Sequence, residues 1–150
     1  MRLSARVDYA LRAMTELAAA GGGRPVTAER LARAQGIPPK FLESILLQLR
    51  RSGLVHAQRG PDGGYRLARA AGQISLAAVI RAIDGPLANV RGQRPEDLGY
   101  AGAAAALQEV WIALRASERQ ILDLVSVSDV ANGTLPERVR ALAADPAAWA

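Results

Sequence analysis

Residues 50–69, RRSGLVHAQRGPDGGYRLAR, constrain this chain more than any other stretch. A basic helix end and Gly53 lead into a short run at 54–57, and a second short run follows at 65–68. Between them lie Arg59, Gly60, Pro61, Asp62, Gly63 and Gly64. Two brief strands joined by a Gly/Pro/Asp loop predict a β-hairpin. Arginines stand at its base, its tip and its return strand.

The segment before the hairpin predicts three helices. Over residues 4–20, Val7, Leu11, Met14, Leu17 and Ala18 share one helical face, and Gly21, Gly22 and Gly23 end it. Thr27 is placed as the N-cap of a short second helix with Glu29 in its first turn, Leu31 facing inward and Gly36 at its end. Pro39 suits the first position of a third helix that reaches Ser52, with Gly53 as its cap. Leu42, Ile45, Leu46 and Leu49 form its buried stripe, while Lys40, Glu43, Ser44, Gln48 and Arg51 fall opposite. Two short helices with a tight turn make a helix-turn-helix, whose second helix enters the major groove of DNA. With the hairpin attached, the layout is that of a winged helix: mainly α with a small β wing.

Charge agrees with this reading. Residues 1–70 carry twelve Lys and Arg against five Asp and Glu, while residues 71–150 carry seven against nine. Such asymmetry points to a nucleic-acid-binding first half. Cysteine is absent and His56 is the single histidine, which removes disulfides, thiolate zinc sites and ordinary iron–sulfur ligation. No metal or cofactor is expected. Nothing in the sequence predicts a membrane span or a signal peptide, so a cytoplasmic protein is expected.

After the hairpin, Ser75 should cap a helix carrying Leu76, Val79, Ile80 and Ile83, stopped by Gly85 and Pro86. Residues 86–102 are polar, Gly-rich and Pro-interrupted, which predicts a connector. A long helix over 103–126, about 35 Å in length, is expected next. Leu107, Val110, Trp111, Leu114, Ile121 and Val125 give it an apolar face, together with Leu122. Its simplest partner is a two-fold copy, giving a homodimer. A short segment around Leu135 and Val139 and an Ala/Pro/Trp tail complete the chain. The organisation expected is therefore a winged helix-turn-helix at 1–85, a connector at 86–102, and a dimerisation helix and tail at 103–150.

The residues assigned to the DNA face are Thr27, Pro39, Lys40, Phe41, Glu43, Ser44, Arg51, Arg59, Gly60 and Gly64. Lys40 and Ser44 suit phosphates or base edges, and Glu43 suits a cytosine amino group. Arg59 suits the electronegative minor groove, with glycines allowing close backbone approach. Asp8 and Arg12, four apart, are expected to form a surface ion pair. His56 is expected to be structural, and Trp111 a core or interface residue.

Several stretches carry a family resemblance. They are SARVDYALRAM near the start, IPPKFLESILLQLRRSGLV, RGPDGGYRLAR, SLAAVIRAIDG, and the helix around LQEVWIALR. Together, over about residues 1–130, the chain resembles the IscR–NsrR–CymR (Rrf2) family of bacterial winged-helix repressors. The resemblance implies a dimeric repressor of imperfect palindromes and a DNA-contact role for Lys40, Glu43, Ser44 and Arg59. Many members hold an iron–sulfur cluster through three connector cysteines, yet residues 89–102 here contain none. In one branch an acid near the start adds a ligand, and Asp8 stands in such a place; one carboxylate without thiolates does not hold that cluster. The chain is similar to a cluster-free branch responding to a protein partner, a small molecule or another signal.

The alternative is a dimeric interaction module, its signal a partner protein or small molecule bound near the connector, with weak DNA binding. A steep salt dependence of DNA binding separates the two. No nucleophile–base pair, phosphate loop or paired-carboxylate cleft points to an enzyme.

Overall fold

The computed structural model describes residues 1–149 and is mostly helical, with one two-stranded sheet. Helix α1 (Ala5–Ala19) lies at its centre, packed against all the other helices of the first half. Val7, Ala10, Ala13, Met14 and Leu17 are buried along its inner face, at the three- and four-residue spacing that a helix requires. Ser4 caps it, accepting from the Val7 amide at 3.1 Å.

Helix α2 (Ala28–Gln35) begins under Thr27, whose hydroxyl accepts from the Arg30 amide. It ends at Gly36 in the left-handed region, φ 60°, where glycine alone is unstrained. Helix α3 (Pro39–Arg51) opens with proline, which gives up no needed donor there. Leu42, Ile45, Leu46 and Leu49 are fully buried against α1 and α4, and truncating any to alanine costs about 2–5 kcal/mol. Ser52, not Gly53, caps α3; Gly53 follows in the left-handed region and turns the chain into the hairpin.

Strands β1 (Val55–Gln58) and β2 (Gly64–Leu67) pair antiparallel, with Val55 opposite Leu67 and Gln58 opposite Gly64. Val26 and Tyr65 exchange backbone hydrogen bonds of 2.8 and 2.7 Å, which ties β2 to the residues entering α2. Helix α4 (Leu76–Asp84) is capped by Ser75 as its sequence predicts.

The second half departs from the expected single long helix over 103–126. Residues 102–104 form a 3₁₀ turn, and helix α5 covers only Leu107–Leu122, about 24 Å. The chain then doubles back. The Leu76 amide donates to the Val125 carbonyl and the Val127 amide to the Ile74 carbonyl, both at 2.9 Å. A new helix, α6 (Val127–Asn132), starts at Ser126 and packs on α1. The physical cause is a reciprocal cap: Ser126 accepts from the Asp129 amide at 3.0 Å while Asp129 accepts from the Ser126 amide at 2.9 Å. Val125, expected on the outward apolar face, is consequently 2% exposed inside the chain's own fold. Helix α7 (Glu137–Ala144) follows Pro136 and leads to a final 3₁₀ turn.

The connector is ordered by local contacts. Its 3₁₀ turn at Pro95–Asp97 is held by the Gln108 amide, which donates to the carbonyls of Pro95, Glu96 and Leu98. Among the described residues, no helix is long and apolar enough to cross a membrane.

Candidate nucleic-acid interface

Helix α3 buries Leu42, Ile45, Leu46 and Leu49, so its opposite face is free. Pro39, Lys40, Phe41, Glu43, Ser44, Arg50 and Arg51 are all exposed there. Phe41 stands more than half exposed near the edge of Tyr9, with ring centroids 6.5 Å apart. Ser44 is oriented from beneath: Arg6 Nη1 donates to Ser44 Oγ at 2.9 Å, and Ser44 Oγ donates to the Phe41 carbonyl.

The same arginine reaches one turn further, where Arg6 Nη2 donates to Gln48 Oε1 at 2.8 Å. Gln48 Nε2 in turn donates to the carbonyls of Ala82 and Ile83 at 2.9 and 3.0 Å. Thus α1, α3 and the last turn of α4 share one polar network. Arg6 and the linking role of Gln48 escape a reading of the sequence, because a pairing 38 or 42 residues apart leaves no local periodic signal.

The hairpin brings the remaining candidates together. Thr27, Arg50, Arg59, Gly60 and Gly64 line one open groove between β1, β2 and the start of α2. Arg59 and Gly60 are exposed at the hairpin's mouth. Gly64 is only half-exposed, and a Cβ there would lie 2.6 Å from the Val26 carbonyl carbon and oxygen. The structural requirement at Gly64 is thus close backbone packing. His56 is exposed on the outer side of β1.

Away from this face, Asp8 and Arg12 form the expected ion pair at 2.7 Å, and the Arg12 guanidinium lies over the Tyr9 ring. Of the apolar residues expected to face a second copy, Leu107, Val110 and Leu114 are exposed, Trp111 and Ile121 are half-buried, and Val125 is internal as described. Trp111 Nε1 donates to the Tyr100 hydroxyl at 3.0 Å.

A helix-turn-helix with a basic free face, followed by a two-stranded wing, defines a winged-helix DNA-binding transcriptional regulator. A profile of the Rrf2 family, described as "Iron-dependent Transcriptional regulator", matches residues 3–133, and the chain belongs to this family. It is 53% identical over 145 residues to an HTH-type transcriptional regulator of Mycobacterium tuberculosis, covering 97% of this chain and 90% of the relative. It is 31% identical over 134 residues to the HTH-type transcriptional regulator CymR of Bacillus subtilis, covering 89% and 92%. The solved structure of CymR, "the Global Cysteine Regulator of B. subtilis", superposes with a TM-score of 0.75 at 29% identity over 89% of this chain and 98% of CymR. IscR of T. potens superposes at 0.72 with 27% identity over 100% of this chain and 97% of IscR.

The family description names iron, and the donors here do not fit an iron–sulfur cluster. Such clusters are held by thiolates, and the chain has no cysteine. Its one histidine lies on the wing, and among the described residues no three His, Asp or Glu side chains converge on a point.

Proposed function

We propose that the chain acts as a homodimer that represses transcription by binding an imperfect inverted repeat, with a signal other than an iron–sulfur cluster. It works in the cytoplasm and has no catalytic role. The observation that carries this reading is the pairing of a free α3 face with the wing groove, both basic and both on the first half of the chain. Within it, Lys40 and Arg51 neutralise phosphates, Ser44 meets phosphate or base edges, and Glu43 accepts from a cytosine amino group. Arg59 enters the minor groove beside the α3 site, and Gly60 lets the wing backbone approach. Thr27, Pro39 and Phe41 border the sugar–phosphate backbone. Residues 1–85 bind DNA, 86–102 connect, and within 103–150 helix α5 supplies the dimer contacts, while α6 packs on the chain's own α1.

Selection of bound fragments from genomic DNA, followed by titration of the recovered sequence at rising salt, tests this. The expected results are an inverted repeat and an affinity that falls steeply with salt. A weak affinity with no sequence preference and a shallow salt slope would overturn it in favour of a protein-interaction module.

A further inference from the structure

Glu118 is the one charged residue of α5 with its side chain withdrawn from water: it is 9% exposed, and neither carboxyl oxygen has a hydrogen-bond donor. Two acceptor oxygens without donors inside a fold are costly unless something with N–H groups and positive charge meets them. Glu118 lines a cavity of about 250 Å³ between α5, the end of α4, residues 85–90 and the first three residues of the chain. Ile80, Leu87, Val90, Trp111 and Leu114 form apolar walls of that cavity. Asp84 and Arg2 also line it, so two acids face one arginine and the lining keeps a net negative charge beside its apolar walls, a composition that suits a small cationic ligand.

We propose that this cavity binds a small protonated amine or guanidine with an apolar body, Glu118 taking its cationic head and Trp111 lying against its body. The acid satisfies the charge, the indole face favours a cation, and the volume restricts the ligand to a small one.

The cavity also adjoins the DNA-reading helix through hydrogen bonds. Asp84, on its wall, accepts from Ser4 Oγ at 2.7 Å, and Ser4 caps α1. The turn before Asp84 offers the Ala82 and Ile83 carbonyls to Gln48 of α3, and Gln48 and Ser44 are both held by Arg6. A ligand that shifts the end of α4 therefore shifts α3, which makes this cavity the regulatory input. That role rests on the DNA-binding reading above; occupancy by the amine does not.

The probes are phenethylammonium and methylguanidinium, with 2-phenylethanol as the neutral control. Trp149→Phe leaves Trp111 as the sole tryptophan and fluorescent reporter. The expected result is a saturable fluorescence change with at least one cation in the low-millimolar range or tighter, and none with the alcohol. Glu118→Gln should remove the response while circular dichroism and melting show the variant folded; if it does not fold, Leu114→Phe, which fills the cavity without adding a second indole, should abolish the response instead. In the same samples, operator affinity should change at least threefold on adding the cation, and not in Glu118→Gln. No saturable response to either cation, or an equal response to 2-phenylethanol, would overturn the site. Saturation with unchanged operator affinity would overturn the regulatory role. If neither cation binds and Glu118→Gln weakens self-association tenfold, the carboxyl serves a second copy's cation and the ligand site is overturned. The fluorescence and self-association outcomes are read independently of whether the wild type binds DNA, so failure of the site and failure of the DNA-binding reading are distinguishable.

Discussion

Gly64 of the wing lies so close to Val26 that a Cβ added to it would sit 2.6 Å from the Val26 carbonyl. Its φ of +146° is a second reason for glycine there. The return strand of the hairpin is therefore seated on the backbone that enters α2, and the Val26–Tyr65 hydrogen bonds lock it in place. The wing is aimed by this contact.

Gly64→Ala should accordingly destabilise the domain by about 1–3 kcal/mol and weaken operator binding, although its side chain adds no charge. Gly72→Ala, at an exposed glycine with open space around its Cα, should be close to neutral. Thermal unfolding and a DNA-shift assay on both variants check this. Equal melting temperatures would show that the wing is not held through Gly64.

Arg6 predicts an effect at a distance. Arg6→Met keeps the apolar stem but removes the donors to Ser44 and Gln48. Stability should fall by about 1 kcal/mol, and operator affinity more than that loss alone explains. A double-mutant cycle with Ser44→Ala on operator binding should give a non-zero coupling. Strict additivity would mean that Arg6 does not set the Ser44 geometry.

The parts legible in the sequence are those governed by local chemistry. Thr27, Ser75 and Pro39 mark helix starts because a cap acts within three residues, and each stands where its type predicts. Leu42, Ile45, Leu46 and Leu49 announce a buried face by spacing alone. The break after Leu122 was masked, because Val125 continues the apolar period of α5 and looks like one more step of the same face. Ser126 and Asp129 did carry the signal, a cap with an acid three residues on, and the period outweighed it. Arg6, Gln48 and Glu118 had no such signal. Their roles depend on which helices meet, and that is decided by tertiary packing.

The contact residues of α3 and the wing should separate by function. Lys40→Ala should weaken all DNA sequences alike and lower the salt slope by about one unit. Glu43→Ala should change base preference more than total affinity, since an acid near phosphates is repelled and serves by discrimination. Arg59→Ala should weaken operator binding by about 1–3 kcal/mol with the fold intact. Titrations on a panel of point-changed operators measure all three. Uniform losses on every sequence would refute the division.

Asp123 joins α4 to α5, accepting from Arg119 Nε at 2.8 Å and from Arg81 Nη2 at 3.1 Å. The Arg119 hydrogen bond, helped by the charge of Arg81 and opposed by desolvation, holds its carboxyl below the usual aspartate range. A folded value below the unfolded one stabilises above about pH 4, and that contribution is lost as pH falls through the folded value. The side chain is about a third exposed, so solvent screening limits the gain to a few tenths of a kcal/mol. Asp123→Asn should lower the melting temperature by a degree or two at neutral pH, with the gap closing in acid. A gap that persists undiminished below about pH 3 would assign the effect to shape rather than charge.

The proposed dimer is best tested where the structure leaves apolar side chains free. Val110 is 52% exposed and Leu107 39% exposed, both near the start of α5. Val125 is unsuitable, because a charge there would unfold the chain's own core. Val110→Glu with Leu107→Glu should leave an isolated protomer folded, since both side chains already face water. In a dimer joined through α5, the two glutamates would be buried without partners, at a cost of several kcal/mol. Light scattering should then report a monomer where the unaltered chain gives a dimer. Operator affinity should drop sharply, because two recognition helices must enter successive major grooves about 34 Å apart or a multiple of it, and one half-site keeps only part of the contact energy. Binding to an isolated half-site should be the same for the variant and the unaltered chain. A variant that remains dimeric and binds the full operator undiminished would move the interface away from α5.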